Sequence, residues 1–362
     1  MKRREFVTKS GLAAGSVAVL AQGLTVHQAG ATGSDGKIRV GQIGVAHAHA
    51  RGKMAAMRKY PDTFEVIGIV EPDESLRETR GRHAAYQDLK WMTEEELLNY
   101  PGLAAVAVET RVRDLVPTAH RCIAAKKHIH LDKPPGESLQ DFKTLLDEAT
   151  GKDLTVQMGY MLRYNPCFQF AYKWAREGRL GALHTVHAEM SKMVSPGIRK
   201  EMDEYRGGSM FELGCHIIDS VVFILGNPTL VSAHTLHTRP AQDTLADNQV
   251  AVFDYEGATA FVRSALNEVD GSRRRQFHVM GQTGQIGIHP LEGHRVQLAL
   301  TKSVGSYSKG FHEIELPRST GRYDGEFLEL AKVIRGEKSL AWTPEHDLVA
   351  HETMLKACGI DE

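Results

Sequence analysis

Residues Lys37–His49 read KIRVGQIGVAHAH. The first seven, KIRVGQI, are a β-rich run with an apolar centre. Gly44-Val45-Ala46-His47-Ala48-His49 follows as a small-residue turn, and Ala50–Tyr60 reads as a helix. Strand, tight turn and helix in that order are the setting of a dinucleotide fingerprint, whose glycines let the backbone approach a pyrophosphate at the helix N-terminus. The fingerprint is degraded. Gly44 holds the first glycine position, Ala46 the second and His49 the third. Ala46 still allows fairly close approach, whereas His49 loosens the packing of helix on strand.

The next runs repeat the pattern. Phe64–Val70, FEVIGIV, is a strand that ends at Glu71. A carboxylate at the end of the second strand is placed to bind ribose hydroxyls, and it repels a 2′-phosphate, so NAD is expected over NADP. Arg77, Arg80 and Arg82 on the following helix soften that preference. Leu103–Val108 is a strand ending at Glu109-Thr110, Pro117–Lys126 a helix, and Lys127–Leu131 a strand stopping at Asp132-Lys133-Pro134. Alternating strands and helices build a parallel sheet, and ligands bind outside its carboxyl ends. Gly44, Glu71, Thr110 and Lys133 all fall there. The expected cofactor contacts are Gly44, Val45, Ala46, His47, Glu71, Thr110 and Lys133. His128, His130 and Asp132 alternate along one strand, and His47 and His49 sit in the turn. Strand histidines of a parallel sheet serve packing, and those of the turn can contact cofactor or substrate, so no metal site is expected.

Leu154–Met158 closes a first domain, residues 36–158. After Gly181 the composition changes. Leu183–Met193, Val231–Thr238, Asp247–Tyr255, Ala258–Glu268, Gln276–Gly281 and Gln285–Pro290 read as strands of an antiparallel meander, with closing helices at 325–335 and 344–358. The fold class is therefore α/β, a parallel dinucleotide-binding sheet followed by an α+β domain, residues 159–362, with a large, mostly antiparallel sheet. A sheet of that kind needs one face covered, so a homo-oligomer, dimer or tetramer, is expected.

Residues 1–31 stand apart. MKRREFVTK is basic and carries Arg3-Arg4, Gly11–Leu24 is weakly apolar, and Ala29-Gly30-Ala31 is a small-residue cleavage candidate. This layout is that of a twin-arginine export signal and implies a periplasmic protein without a membrane span in the mature chain. The whole chain of 362 residues has a net charge of -1, so no basic field for nucleic acid exists. Its four cysteines form no CxxC pair, so neither a disulfide framework nor a cysteine zinc site is indicated.

Gly207–Ser220, GGSMFELGCHIIDS, carries the chemistry. Glu212, His216 and Asp219 are spaced i, i+4, i+7 and share one face of a helix. An imidazole between two carboxylates is a proton-transfer group with partners that orient it, or else a satisfied buried histidine.

Together these motifs resemble the Gfo/Idh/MocA oxidoreductase family over nearly all of Lys37–Glu362. The nucleotide-binding turn stands as Gly44–His49 and the acidic residue as Glu71. The Glu-Lys-Pro motif stands as Asp132-Lys133-Pro134, the Arg-containing segment as Arg163-Tyr164-Asn165-Pro166, and G-x-H-x-x-D as Gly214–Asp219. The resemblance implies hydride transfer between nicotinamide and a sugar, polyol or sugar derivative. It implies Lys133 and His216 as catalytic residues, with Glu212, Arg163, Tyr160 and Asp219 on the substrate side. A second reading is a glycosidase or lyase that uses tightly bound NAD for transient oxidation and elimination. A third is a sugar- and dinucleotide-binding sensor without catalysis.

Overall fold

A computed structural model of the chain describes residues 36–360. The segment read as an export signal lies outside the described residues. Five strands form the first sheet: β1 (Ile38–Ile43), β2 (Phe64–Val70), β3 (Leu103–Val108), β4 (His128–Leu131) and β5 (Val156–Met158). Their order is β2-β1-β3-β4-β5, and every neighbouring pair is parallel. β3, LAAVAV, is buried at all its positions, because crossover helices cover both faces of a parallel sheet. The chain leaves β1 toward β2 and returns on the other side to β3. That reversal opens a crevice at the carboxyl ends of β1 and β3.

Gly44 sits at this opening with φ +95°, and a Cβ there would lie 2.6 Å from the backbone of Glu109 and Thr110. A side chain at this position is excluded both by conformation and by space. The sequence placed the next helix at Pro117, but it spans Val112–Ala124 with Pro117 inside. The buried face formed by Val112, Leu115, Val116, Ala119 and Ile123 outweighs the one backbone hydrogen bond that proline removes.

The second sheet has eight strands: β6 (Leu183–Glu189), β7 (Leu230–Leu236), β8 (Asn248–Tyr255), β9 (Ala258–Ala265), β10 (Gln276–Gly281), β11 (Gly284–Ile288), β12 (Arg295–Leu300) and β13 (Gly310–Glu315). Their order is β13-β12-β11-β10-β6-β9-β8-β7. Only β6 and β9 pair parallel. The sheet therefore extends two strands beyond the expected end at Pro290. β13, GFHEIE, is an edge strand with no buried position, so it lacks the apolar alternation that marks a strand in sequence. The inner face packs on the helices Pro166–Arg176 and Cys215–Leu225. The outer face exposes Leu230, Leu236, Phe261 and Phe311.

The closing helix Asp324–Ile334 packs back onto the helix Ala50–Lys59 of the first sheet. Lys59 Nζ donates to Asp324 at 2.6 Å, and Gln157 Nε2 donates to the Glu326 carbonyl at 3.0 Å. The helix Pro344–Ala357 packs against both Cys215–Leu225 and Leu139–Thr150. Among the described residues no helix is long and apolar enough to cross a membrane. The four cysteines are buried and free.

Candidate active site

Lys133 leaves the end of β4 and reaches across to the second domain. Its Nζ donates to the Glu212 carbonyl at 2.7 Å and to Glu212 Oε1 at 3.1 Å. Two of the ammonium's three N–H groups are thus taken and one remains. Burial works to lower the Lys133 pKa, but the Glu212 carboxylate, helped by Asp132, outweighs it and holds the ammonium above the ordinary lysine value. Glu212 lies in a π-helical turn, Met210–Gly214, which runs straight into the helix Cys215–Leu225. Wide turns of this kind recur at functional sites. His216 follows one turn later. It is 1% exposed, and its Nδ1 has no hydrogen-bond partner. Burial, and then the Lys133 charge, push its pKa well below 6.5, so the ring is a neutral base.

The expected face of three polar residues is split by depth. Glu212 and His216 stay near the cleft. Asp219, about 4–5 Å further along the helix axis, enters the second domain's core. There Arg163 Nε and Nη2 donate to its two oxygens at 3.0 and 2.6 Å. Arg163 also pairs with Asp347, and its guanidinium lies 4.9 Å from the Tyr160 ring and 5.1 Å from that of Trp342. Arg163 and Asp219 are both 0% exposed, so they face each other rather than the cleft. Tyr160 packs edge-on against His216, with ring centres 5.9 Å apart.

A second buried group was not assembled by sequence reasoning. Asp132 lies 2.9 Å from His47 Nδ1 and 3.1 Å from His49 Nδ1. Lys53, on the inward face of Ala50–Lys59, forms an ion pair with Glu326. Glu109, at the end of β3, is fully buried and faces Asp132. Burial, and next the Asp132 carboxylate, push it well above the carboxylate range, so it keeps its proton. Glu326 is pushed up to about 7 by burial, although Lys53 opposes this. The strand alternation grouped His128 and His130 with Asp132. In the structure His130 bonds to Gln157 at 3.0 Å and His128 accepts from Thr155 N–H at 3.1 Å. The partners of Asp132 come instead from the turn after β1. A lysine among Ala50, Met54, Ala56 and Met57 on the buried face of this helix was the available signal for Lys53.

These neutral histidines set the acid stability. Burial lowers His49 and His128 to about 4, and His130 and His351 to about 3. The unfolded chain protonates such groups near pH 6.5, so between about pH 6.5 and 4 it binds more protons than the native state, and stability falls as pH drops. Glu109 and Glu326 act in the opposite sense, because burial raises both and the native state already carries their protons where the unfolded chain does not, for Glu326 below about pH 7. The lowered histidines, His216 among them, outnumber the raised carboxyls, which leaves a net loss on the order of 1.4 kcal/mol per pH unit for each uncompensated histidine. The urea midpoint is expected to be lower at pH 5 than at pH 7. Equal midpoints would show that these rings take up protons without unfolding.

The crevice at the turn is suited to a dinucleotide. Val45 N–H donates to Glu71 Oε2 at 3.0 Å, and Asp73 N–H to Glu71 Oε1 at 3.1 Å, which fixes the carboxylate at the end of β2. Arg80 donates to the Ala46 carbonyl and brings positive charge to the turn. A cleft of about 380 Å³ runs from Ala46 and His47 past Arg80, Arg111 and Lys192 to Glu212. The Gly44 conformation, a carboxylate in place for ribose and cations in place for diphosphate fit that cofactor. Thr110 contributes backbone packed against Gly44, while its hydroxyl donates to Arg111 O at 3.1 Å.

Known proteins resemble this chain in sequence and fold. A scyllo-inositol 2-dehydrogenase (NADP(+)) of Bacillus subtilis is 27% identical over 42% of this chain and 43% of its own. A myo-inositol 2-dehydrogenase of Thermotoga maritima is 23% identical over 69% of this chain and 73% of its own. The chain spans about half the length of the first of the curated relatives it matches. A solved UDP-N-acetylglucosamine 3-dehydrogenase from Acidithiobacillus ferrooxidans shares the fold, with a TM-score of 0.74 at 17% identity, over 90% of this chain and 97% of that one. Residues 38–160 match the family described as an oxidoreductase family with an NAD-binding Rossmann fold, and residues 168–287 match the GFO/IDH/MocA C-terminal domain. With its two sheets matched in order by the two halves of one family, the chain belongs to the Gfo/Idh/MocA oxidoreductases and carries their NAD(P)-binding Rossmann domain.

Proposed function

We propose that this protein transfers a hydride between NAD and a carbon of a sugar, polyol or sugar derivative, with His216 as acid/base and Lys133 polarising the substrate oxygen. The observation that carries this reading is a buried, neutral imidazole with a bare nitrogen, one helical turn from the carboxylate that holds a buried ammonium. An alcohol must lose its proton as the hydride leaves. The neutral His216 ring can take that proton, and the free N–H of Lys133 can stabilise the negative charge that develops on oxygen. When bound, the nicotinamide supplies the hydride acceptor or donor. Glu212 holds Lys133 in place and, being partly open to the cleft, offers an acceptor to a substrate hydroxyl. The inositol and sugar dehydrogenases among the relatives support the substrate class.

Glu71 supports NAD over NADP, because its fixed carboxylate would repel a 2′-phosphate. The test is to denature the purified full chain, identify any released dinucleotide by mass spectrometry, and titrate emptied protein with NAD and NADP. Bound NAD, or affinity for added NAD at least tenfold tighter than for NADP, is expected. Tighter NADP binding would overturn the Glu71 argument, and no affinity for either dinucleotide would overturn the hydride-transfer reading.

A further inference from the structure

The turn after β1 and the end of β4 place three ligand-type side chains around one point. We propose that His47, His49 and Asp132 bind a divalent transition-metal ion. Their ligand atoms all lie within 4.8 Å of one another.

The argument begins with the state of His47. Its Nε2 faces the Lys133 carbonyl at 3.2 Å. A carbonyl only accepts, so Nε2 carries the hydrogen and Nδ1 carries a lone pair. Among the described residues, the donor that approaches this lone pair is the His49 N–H, at a long 3.3 Å. Nδ1 also lies 2.9 Å from Asp132 Oδ2. That distance suits a hydrogen bond, yet Oδ2 is fully buried and makes none. His47 Nδ1 and Asp132 Oδ2 thus sit in close contact without the alignment of a good hydrogen bond. An ion about 2.1 Å from each would see them at an angle near 90°, a normal bite for a metal with histidine and carboxylate ligands. The same contact is poor for a proton and good for a cation.

The surroundings are those of a ligand set held in advance. The backbone of Lys133 grips both halves. Its carbonyl fixes His47, and its N–H donates to Asp132 Oδ1 at 2.7 Å. Metal-binding histidines characteristically give their other ring N–H to a carbonyl or carboxylate, which fixes tautomer and orientation. His49 Nδ1 lies 3.1 Å from Asp132 Oδ1 and exchanges that contact for the ion when metal binds. Two imidazole nitrogens and one carboxylate oxygen suit Zn²⁺, Fe²⁺, Co²⁺ or Mn²⁺, and they leave coordination positions open. The open side adjoins the cleft. His47 lines it, and the His216 ring centre is 6.2 Å from that of His49. An oxygen-bearing ligand held by the ion would sit within reach of the proposed base.

This inference stands on three side chains and not on dinucleotide binding, so either can fail alone. The full chain is stripped with EDTA, dialysed, and titrated with Co²⁺, then with Zn²⁺. One Co²⁺ per chain with visible d–d absorption, displaced by Zn²⁺, is expected. Asp132→Asn and His49→Gln are expected to weaken binding by about 100-fold or more. His49 is partly exposed, so its variant keeps the test valid if Asp132→Asn does not fold. Two results overturn the proposal. One is no stoichiometric Co²⁺ binding by the wild-type chain at 100-fold excess metal. The other is binding of unchanged strength in folded His49→Gln, which would place the metal on histidines elsewhere.

Discussion

The His216→Asn variant is expected to lose about 100- to 10,000-fold in kcat, the range that general acid–base catalysis contributes, with dinucleotide affinity unchanged. The ring is buried beside the cleft, its Nδ1 is unpartnered, and burial together with the Lys133 charge keeps it neutral. Asparagine is polar and somewhat smaller, but it cannot accept a proton at any working pH. The pH profile gives an independent readout. Because the His216 pKa lies well below 6.5, the basic form persists into mildly acid solution, and wild-type kcat should hold its value from pH 8 down to at least pH 6.5. The variant, measured with NAD and the polyol or sugar that the wild type turns over, should show a flat residual rate. Turnover within threefold of wild type would remove His216 from the mechanism. His216 is a cleaner test than Lys133, whose removal would also strand the Glu212 carboxylate.

The second large effect lies in the core. Arg163→Met should cost about 3–5 kcal/mol of stability, the penalty for breaking a fully buried ion pair from one side. Burial works against the Asp219 carboxylate, and the Arg163 guanidinium outweighs it and holds that group below its usual pKa. Asp347, pushed up by burial, faces the same guanidinium. Without Arg163 two buried carboxyls confront each other, with His346 2.9 Å from Asp219 as the remaining basic partner. Urea unfolding measures the loss. The double variant Arg163→Met with Asp219→Leu should recover part of it, because the Asp219 charge is then removed together with its partner and only Asp347 is left unpaired. A single variant of near wild-type stability but raised KM would instead put Arg163 on the substrate, as the sequence alone suggested.

The two cases separate what each level of structure controls. Lys133 and His216 were legible because each belongs to a local pattern, a strand end before Pro134 and a helical G-x-H-x-x-D. Arg163 and Asp219 belong to equally legible patterns, yet they point into the core. A pattern fixes the face of an element but not what packs against that face. Glu109, Lys53 and Glu326 come from three separate regions of the chain and form one group only when the closing helix docks on the first domain.

The sequence by itself determined the alternation of strands and helices in the first domain, the parallel sheet with its crevice, and the glycine turn at position 44, because these follow from local periodicity and backbone sterics. The family resemblance also pointed to Lys133 and His216 as parts of one candidate site. The tertiary structure alone decided that β12 and β13 extend the second sheet and that Arg163 closes on Asp219. It likewise decided that Asp132 meets His47 and His49 rather than the histidines of its own strand. These outcomes depend on long-range packing and on which charges are buried together, and neither is encoded in the spacing of residues along the chain.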